Sequence, residues 1–116
     1  MNKRLVGNKG EAIAIKWLLE HQFEMITQNY YTPYGEIDII AKKEAVFYFV
    51  EVKYRRNLNY GSAREALTRQ KISHLKKSVL HYITSQSVYL DYKVSFIGIY
   101  DMNGRLDIEW LENIFE

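Results

Sequence analysis

The amino-acid sequence predicts a layered α/β or α+β fold in which a β-sheet lies between two helices. Three observations point there. Apolar residues recur at helical spacing over residues 8–21 and again over 62–85. Between these stretches lie three successive runs rich in β-branched and aromatic residues. Two more such runs follow, joined by Asn103-Gly104. Helix, three strands, helix and two strands make a sheet with a helix available to each face.

Residues 8–21 form the first helix, with Glu11, Ile15 and Leu18 on one stripe and Ala12, Ile15 and Leu19 overlapping it. Phe23 to Tyr31 is the first strand, ending before Thr32-Pro33. Gly35 to Ala41 is the second, with Ile37 and Ile39 on one face and Glu36 and Asp38 on the other. Lys42, Lys43 and Glu44 make the turn into the third strand, Val46 to Tyr54. There Val46, Tyr48, Val50, Val52 and Tyr54 alternate with Phe47, Phe49, Glu51 and Lys53. Arg55 to Gly61 is a polar loop. Ser62 and Glu65 fit a capping box that opens a helix running to about Ser85, with Ile72, Leu75, Val79 and Ile83 buried. Tyr92 to Tyr100 and Leu106 to Leu111 form the closing hairpin, and Ile114 and Phe115 dock the end.

At 116 residues the chain suits one domain, residues 1–116, with no repeat or linker to divide it. It has no cysteine, which excludes a disulfide framework, a thiolate zinc site and a cysteine nucleophile. The longest apolar run, Ala45 to Val50, is far short of the ~20 residues of a membrane helix. Lys3 and Arg4 have no apolar segment behind them, so no secretory signal is expected. The expectation is a soluble, cytoplasmic protein with no membrane partner.

The net charge of +2 conceals an uneven distribution. Residues 42–81 hold ten basic and three acidic side chains, a net +7. Such a block attracts a polyanion, and it also fits a solvated helix face.

Four charges interrupt the core pattern. Asp38 lies within Ile37-Asp38-Ile39-Ile40, Glu51 and Lys53 within Phe49-Val50-Glu51-Val52-Lys53, and Glu11 on the stripe of Ile15 and Leu18. A buried charge requires a partner or a metal. If the second and third strands are hairpin neighbours, ~4.8 Å apart, Asp38 faces Glu51 with Lys53 one step along. Two carboxylates that close repel by roughly 3 kcal/mol at an effective dielectric near 20. Lys53 offsets part of this. A hard cation, Mg²⁺ or Mn²⁺, offsets more. A structural salt-bridge cluster of Asp38, Glu51 and Lys53 fits the same residues.

These residues stand in a recognisable series: Gly7-Asn8-Lys9-Gly10-Glu11, Asn29-Tyr30-Tyr31, Gly35-Glu36-Ile37-Asp38-Ile39-Ile40-Ala41, Phe49-Val50-Glu51-Val52-Lys53-Tyr54-Arg55 and Ala66-Leu67-Thr68-Arg69-Gln70-Lys71. The chain resembles the YraN-like family of small bacterial proteins within the PD-(D/E)XK, or restriction-endonuclease-like, nuclease superfamily, relatives of archaeal Holliday-junction resolvases. The resemblance implies an αβββαβ core, with a mixed sheet flanked by helices and a C-terminal β-hairpin extension. It implies a Mg²⁺- or Mn²⁺-dependent endonuclease acting on branched or structured DNA. Asp38, Glu51 and the Val52 carbonyl would hold the ion, Lys53 would orient the attacking water, and Glu11 would hold a metal-bound water or a second ion. Lys71 and Gln70 would reach the phosphate, and Glu36 would stand in the outer shell or be an exposed strand-end carboxylate. The family's Arg-Phe-Asp at the start of the fourth strand is Lys93-Val94-Ser95 here.

Read beside that site, Arg55, Arg56, Arg64, Arg69, Lys71, Lys76 and Lys77 suit phosphate contacts that position a duplex without reading its sequence. Tyr54 and Tyr60 flank the basic loop and suit stacking on bases. His21, His74 and His81 have no metal-ligand spacing, although His74 and His81 share a helix face. A homodimer would suit a two-fold DNA junction. Two rivals remain: a weakly active or inactive nucleic-acid-binding module of the same fold, which Ser95 favours, and a protein-interaction domain whose charged cluster is structural.

Overall fold

The computed structural model describes residues 3–87 and 89–115, with side chains from residue 9 onward. Among these residues the chain forms α1 (Lys3–Glu20), β1 (Glu24–Thr32), β2 (Gly35–Lys43), β3 (Val46–Arg55), a 3-10 turn (Arg64–Ala66), α2 (Arg69–Gln86), β4 (Asp91–Met102) and β5 (Arg105–Leu111). The strands make one mixed sheet in the order β1-β2-β3-β4-β5. Only the β3–β4 neighbours are parallel, because α2 carries the chain back across the sheet between them. The result is the αβββαβ order of the restriction-endonuclease-like core with a C-terminal hairpin. No described helix is long and apolar enough to cross a membrane.

Each helix covers one sheet face. Ala14 and Leu18 of α1 pack with Ile39, Tyr48, Val50, Val52, Tyr54 and Ile97. Leu75, Val79 and Tyr82 of α2 pack with Ile37, Ile40, Phe49 and Val94. The buried stripe of α1 is therefore Ala14 and Leu18; Ala12 and Leu19 are exposed. Gly10 lets α1 sit close on β3, since a Cβ there would lie 2.8 Å from the Tyr54 Cβ.

Several boundaries differ from expectation, each for a local reason. The turn between β2 and β3 is Glu44-Ala45, both at positive φ (51° and 68°), rather than Lys42-Lys43-Glu44. A two-residue hairpin turn of that hand matches the twist of the strands it joins. Asn103 and Gly104 turn the last hairpin in the same way, at φ 55° and 71°. The Ser62–Glu65 capping box forms, with the Glu65 N–H donating to Ser62 Oγ and the Ser62 N–H to Glu65 Oε2, each at 3.2 Å. It opens the 3-10 turn rather than the long helix, because Leu67 leaves helical geometry at φ −82°, ψ 69°. Thr68 then caps α2 by accepting from the Lys71 N–H at 3.2 Å.

Of the two tail residues expected to dock, Ile114 packs on the α2 side and its N–H donates to the Val94 carbonyl at 2.8 Å, whereas Phe115 stays exposed. Ser95 has a structural task there. It is fully buried and donates its hydroxyl to the Glu112 carbonyl at 2.6 Å.

Candidate acidic site

The strand alternation predicted for β2 fails at one point, and the acidic site is built there. Ile37 packs with Ile40 on the α2 face, whereas Ile39 and Ala41 pack on the α1 face. Ile37 and Ile39 therefore do not share a face. Opposite, β1 pairs Gln28 with Ile39 and Tyr30 with Ile37, and Asn29 between them lies in the left-handed region at φ 51°. Asparagine tolerates that conformation better than most side chains. On the other side, the β2–β3 ladder runs from Lys43↔Val46 to Ile39↔Val50. One step beyond, the Asp38 carboxylate accepts the Val52 N–H at 2.8 Å. A side chain thus takes a donor that a strand neighbour would otherwise satisfy.

This distortion gathers carboxylates from three elements. One oxygen each from Glu11 of α1 and from Glu36 and Asp38 of β2 lie within 4.8 Å of one another. The Glu11 carboxyl is pushed above its ordinary range by burial, then by the Asp38 and Glu36 charges, against a hydrogen bond from Asn29. Glu51 of β3 is 3% exposed. Its pKa rises to about 8, through burial first and then the neighbouring Asp38 charge, while Lys71 and Lys53 pull it back. Lys71 Nζ lies 3.5 Å from Glu51 Oε2, yet that buried oxygen has no hydrogen-bond partner.

Among the expected site residues, Glu11, Asp38, Glu51, Lys53 and Lys71 are brought to one region. Val52 enters through its amide; the expectation concerned its carbonyl. Glu36, expected at the margin, is a full member of the carboxylate cluster. Asn29 gave no sign of its role beyond being an asparagine in a strand, the residue type suited to a positive φ.

The basic residues divide. Arg56, Arg69 and Gln70 are exposed, and Arg64 pairs with Glu109 at 3.4 Å. Arg55 is half-buried, donates Nη1 to the Tyr54 carbonyl at 3.4 Å, and has a buried Nε without a hydrogen-bond partner. Tyr54 is not available for stacking on a base. Alternation turns it to the α1 face, where it is 9% exposed and its hydroxyl donates to Asp101. Tyr60, at 90% exposed, keeps the placement expected of it. His74 and His81 are both exposed on α2.

Fold and site together define a mixed-sheet αβββαβ chain with an acidic centre where its second and third strands part. Residues 10–108 match the family described as "Uncharacterised protein family UPF0102", and the chain belongs to that family, the YraN family. It is 39% identical to a UPF0102 protein of Vibrio parahaemolyticus, over 97% of this chain and 93% of that one. A UPF0102 protein of Fusobacterium nucleatum is 38% identical over 98% and 93%. One of Caldicellulosiruptor saccharolyticus is 38% identical over 99% and 100%.

Proposed function

We propose that this chain is a divalent-cation-dependent endonuclease that hydrolyses phosphodiester bonds in branched or structured DNA, in the manner of a Holliday-junction resolvase. The observation that carries this reading is Glu51: a carboxylate buried against Asp38, with an oxygen no hydrogen bond satisfies. Stability does not ask for such a group, and an unsatisfied buried acceptor costs about 1–3 kcal/mol.

The donor set fits a hard cation. Glu11, Glu36, Asp38 and Glu51 offer only oxygen, the chemistry of Mg²⁺ or Mn²⁺ sites. Asp38 and Glu51 would hold the ion, with the Val52 carbonyl, and Glu11 and Glu36 would hold its water or a second ion. When bound, such an ion supplies positive charge for the scissile phosphate and lowers the pKa of water. The chain's own residues do the rest. The Val52 N–H fixes the Asp38 carboxylate in place. Lys53, whose charge reaches Glu51, orients the attacking water and stabilises charge developing on the phosphate. Lys71 balances Glu51 without substrate and turns to a phosphate oxygen with it. Arg56, Arg69 and Gln70 meet the backbone of the DNA, which positions it without reading its sequence.

A second reading is a binding module of weak or no turnover. Ser95 favours it, because the position where the family carries an aspartate is spent on the Glu112 carbonyl.

Calorimetric titration of Mn²⁺ and Mg²⁺ into wild type and Asp38→Asn, with four-way-junction and flap cleavage by the same preparations, tests both readings. The nuclease reading expects ion binding that Asp38→Asn removes, and cleavage that Asp38→Asn and Lys53→Ala each abolish with the fold intact. Cleavage retained in both variants refutes it. Salt-dependent DNA binding without cleavage under either ion establishes the binding module.

A further inference from the structure

Two clefts lie along α2, and the chemistry above uses only Glu36 and Lys71 of the smaller one. One, of about 80 Å³, opens beside the acidic centre between Glu36, Lys71, His74, Ser78 and Tyr34. The other, of about 510 Å³, lies between Tyr34, Lys77, Leu80, His81, Thr84 and Ser85. Tyr34 lines both and stands between them, so the two clefts follow one another along α2 from the side of Glu36. The helix explains their polarity. Lys71, His74, Ser78, His81 and Ser85 recur at alternating steps of three and four, one stripe of α2.

The opposite wall is the turn between β1 and β2, and it is firmly built. Ser78 Oγ meets Thr32 Oγ1 at 2.8 Å, tying the turn to α2. Thr32 Oγ1 donates to the Gly35 carbonyl at 2.8 Å and accepts the Tyr34 N–H at 3.1 Å. Tyr34 therefore stands at a fixed place while 48% of it faces solvent. Lys77 Nζ lies 5.9 Å from its ring centroid. The larger cleft is within the ~300–1,000 Å³ of small-ligand sites, and its lining carries a lysine and no carboxylate.

We propose that this groove receives the unpaired strand of a nucleic acid whose phosphodiester engages the acidic centre. A base stacks on Tyr34 beside Leu80, and Lys71 and Lys77 take the flanking phosphates. An aromatic ring presented beside cations is the chemistry that holds single strands, because an unpaired base has an open π-face to offer and a duplex base does not. The inference rests on the nucleic-acid reading of the acidic centre and adds what that reading lacks, a reason for choosing branched over continuous duplex.

The test is fluorescence anisotropy on the full chain in chelator, with a labelled oligothymidylate and a blunt duplex as probes. Tyr34→Ala should weaken oligothymidylate binding by roughly 5- to 150-fold, the range of base–aromatic stacking. Tyr34→Trp should retain it, and neither should alter duplex affinity. Lys77→Gln should lower the slope of log affinity against log salt for the oligothymidylate by about 0.7. Oligothymidylate affinity unchanged in Tyr34→Ala, or an equal loss on the duplex, overturns the proposal. Junction cleavage by wild type separates the two readings. Cleavage with Tyr34-independent binding removes the groove and leaves the nuclease. Tyr34-dependent binding without cleavage keeps the groove and removes the nuclease.

Discussion

Replacing Glu51 by glutamine keeps the shape of the side chain and removes its ability to ionise. In the metal-free chain that variant should be more stable than wild type at alkaline pH. The Glu51 pKa is raised from 4.5 to about 8, chiefly by burial and by Asp38. A carboxyl with a raised folded-state pKa binds its proton more tightly in the native state than in the unfolded one. Its contribution to stability is complete below about 4.5 and is lost as pH rises through about 8. At about 1.4 kcal/mol per unit, the loss is roughly 3–5 kcal/mol. Glu11 is shifted in the same direction, but it persists in the variant and does not enter the difference. Urea unfolding in chelator, repeated from acid to alkaline pH, reads that difference directly. The two proteins should be nearly equal near the unfolded carboxyl pKa and diverge by roughly that amount at alkaline pH. Saturating Mn²⁺ should then restore the wild type, by ~2.7 kcal/mol at a hundred times Kd, and should restore Glu51→Gln less. A stability difference that stays constant across the pH range refutes the argument, because it would place no titrating carboxyl at this position.

Three further outcomes follow from the packing. Ser95→Ala removes the hydroxyl held by the Glu112 carbonyl; it should cost about 1–2 kcal/mol in urea unfolding and leave junction cleavage unchanged. Gly10→Ala forces a methyl to within 2.8 Å of the Tyr54 Cβ; it should lower stability by about 1–3 kcal/mol, read as a lower denaturant midpoint. Thr68→Ala removes the α2 cap at Lys71; a loss of about 1 kcal/mol is expected, with faster amide exchange at the first turn of α2.

The kinds and order of the elements were legible because each carries a strong periodic signal. Val46–Arg55 is rich in β-branched and aromatic residues, and Leu75 and Val79 sit where the helical period puts them. A capping box, by contrast, reads the same whether it opens an α-helix or a short 3-10 turn. Only the backbone at Leu67 tells which, and it leaves Arg64 in the 3-10 turn and not on the helix that the box suggests. The facing of Asp38 toward Glu51, with Lys53 near, was legible from hairpin register alone. Alternation along β2 also sets Glu36 on the face of Asp38, but its full membership was not legible, because strand spacing does not show that Glu11 of α1 comes within reach of both. Tyr54 shows the opposite failure: alternation already assigned it to the face away from Lys53 and Arg55, and its nearness in sequence to the basic loop was the misleading cue.

The break in β2 between Ile37 and Ile39 explains how the two sides of a sheet come to share one site. On a regular sheet, carboxylates reached from α1 and from α2 are separated by the backbone layer and by a continuous ladder of hydrogen bonds. Here the β2–β3 ladder runs to Ile39↔Val50, and Asp38 takes the next donor, the Val52 amide, with its side chain. There Asp38 lies with Glu11 and Glu36 and interacts with Glu51, and Lys71 of α2 reaches Glu51 in turn. The arrangement is costly without an ion, as the raised Glu51 and Glu11 pKa values show. A purely structural cluster would be expected to relieve that cost with a cation for each carboxylate or with complete hydrogen bonding. The described residues instead leave one Glu51 oxygen buried and unsatisfied beside Asp38, where Glu11, Glu36 and Asp38 converge. Strand distortion, convergence of like charge and an unmet acceptor are three separate departures from what folding alone favours. Their coincidence at Asp38 is the physical ground for assigning function to this end of the sheet rather than to any other part of the molecule.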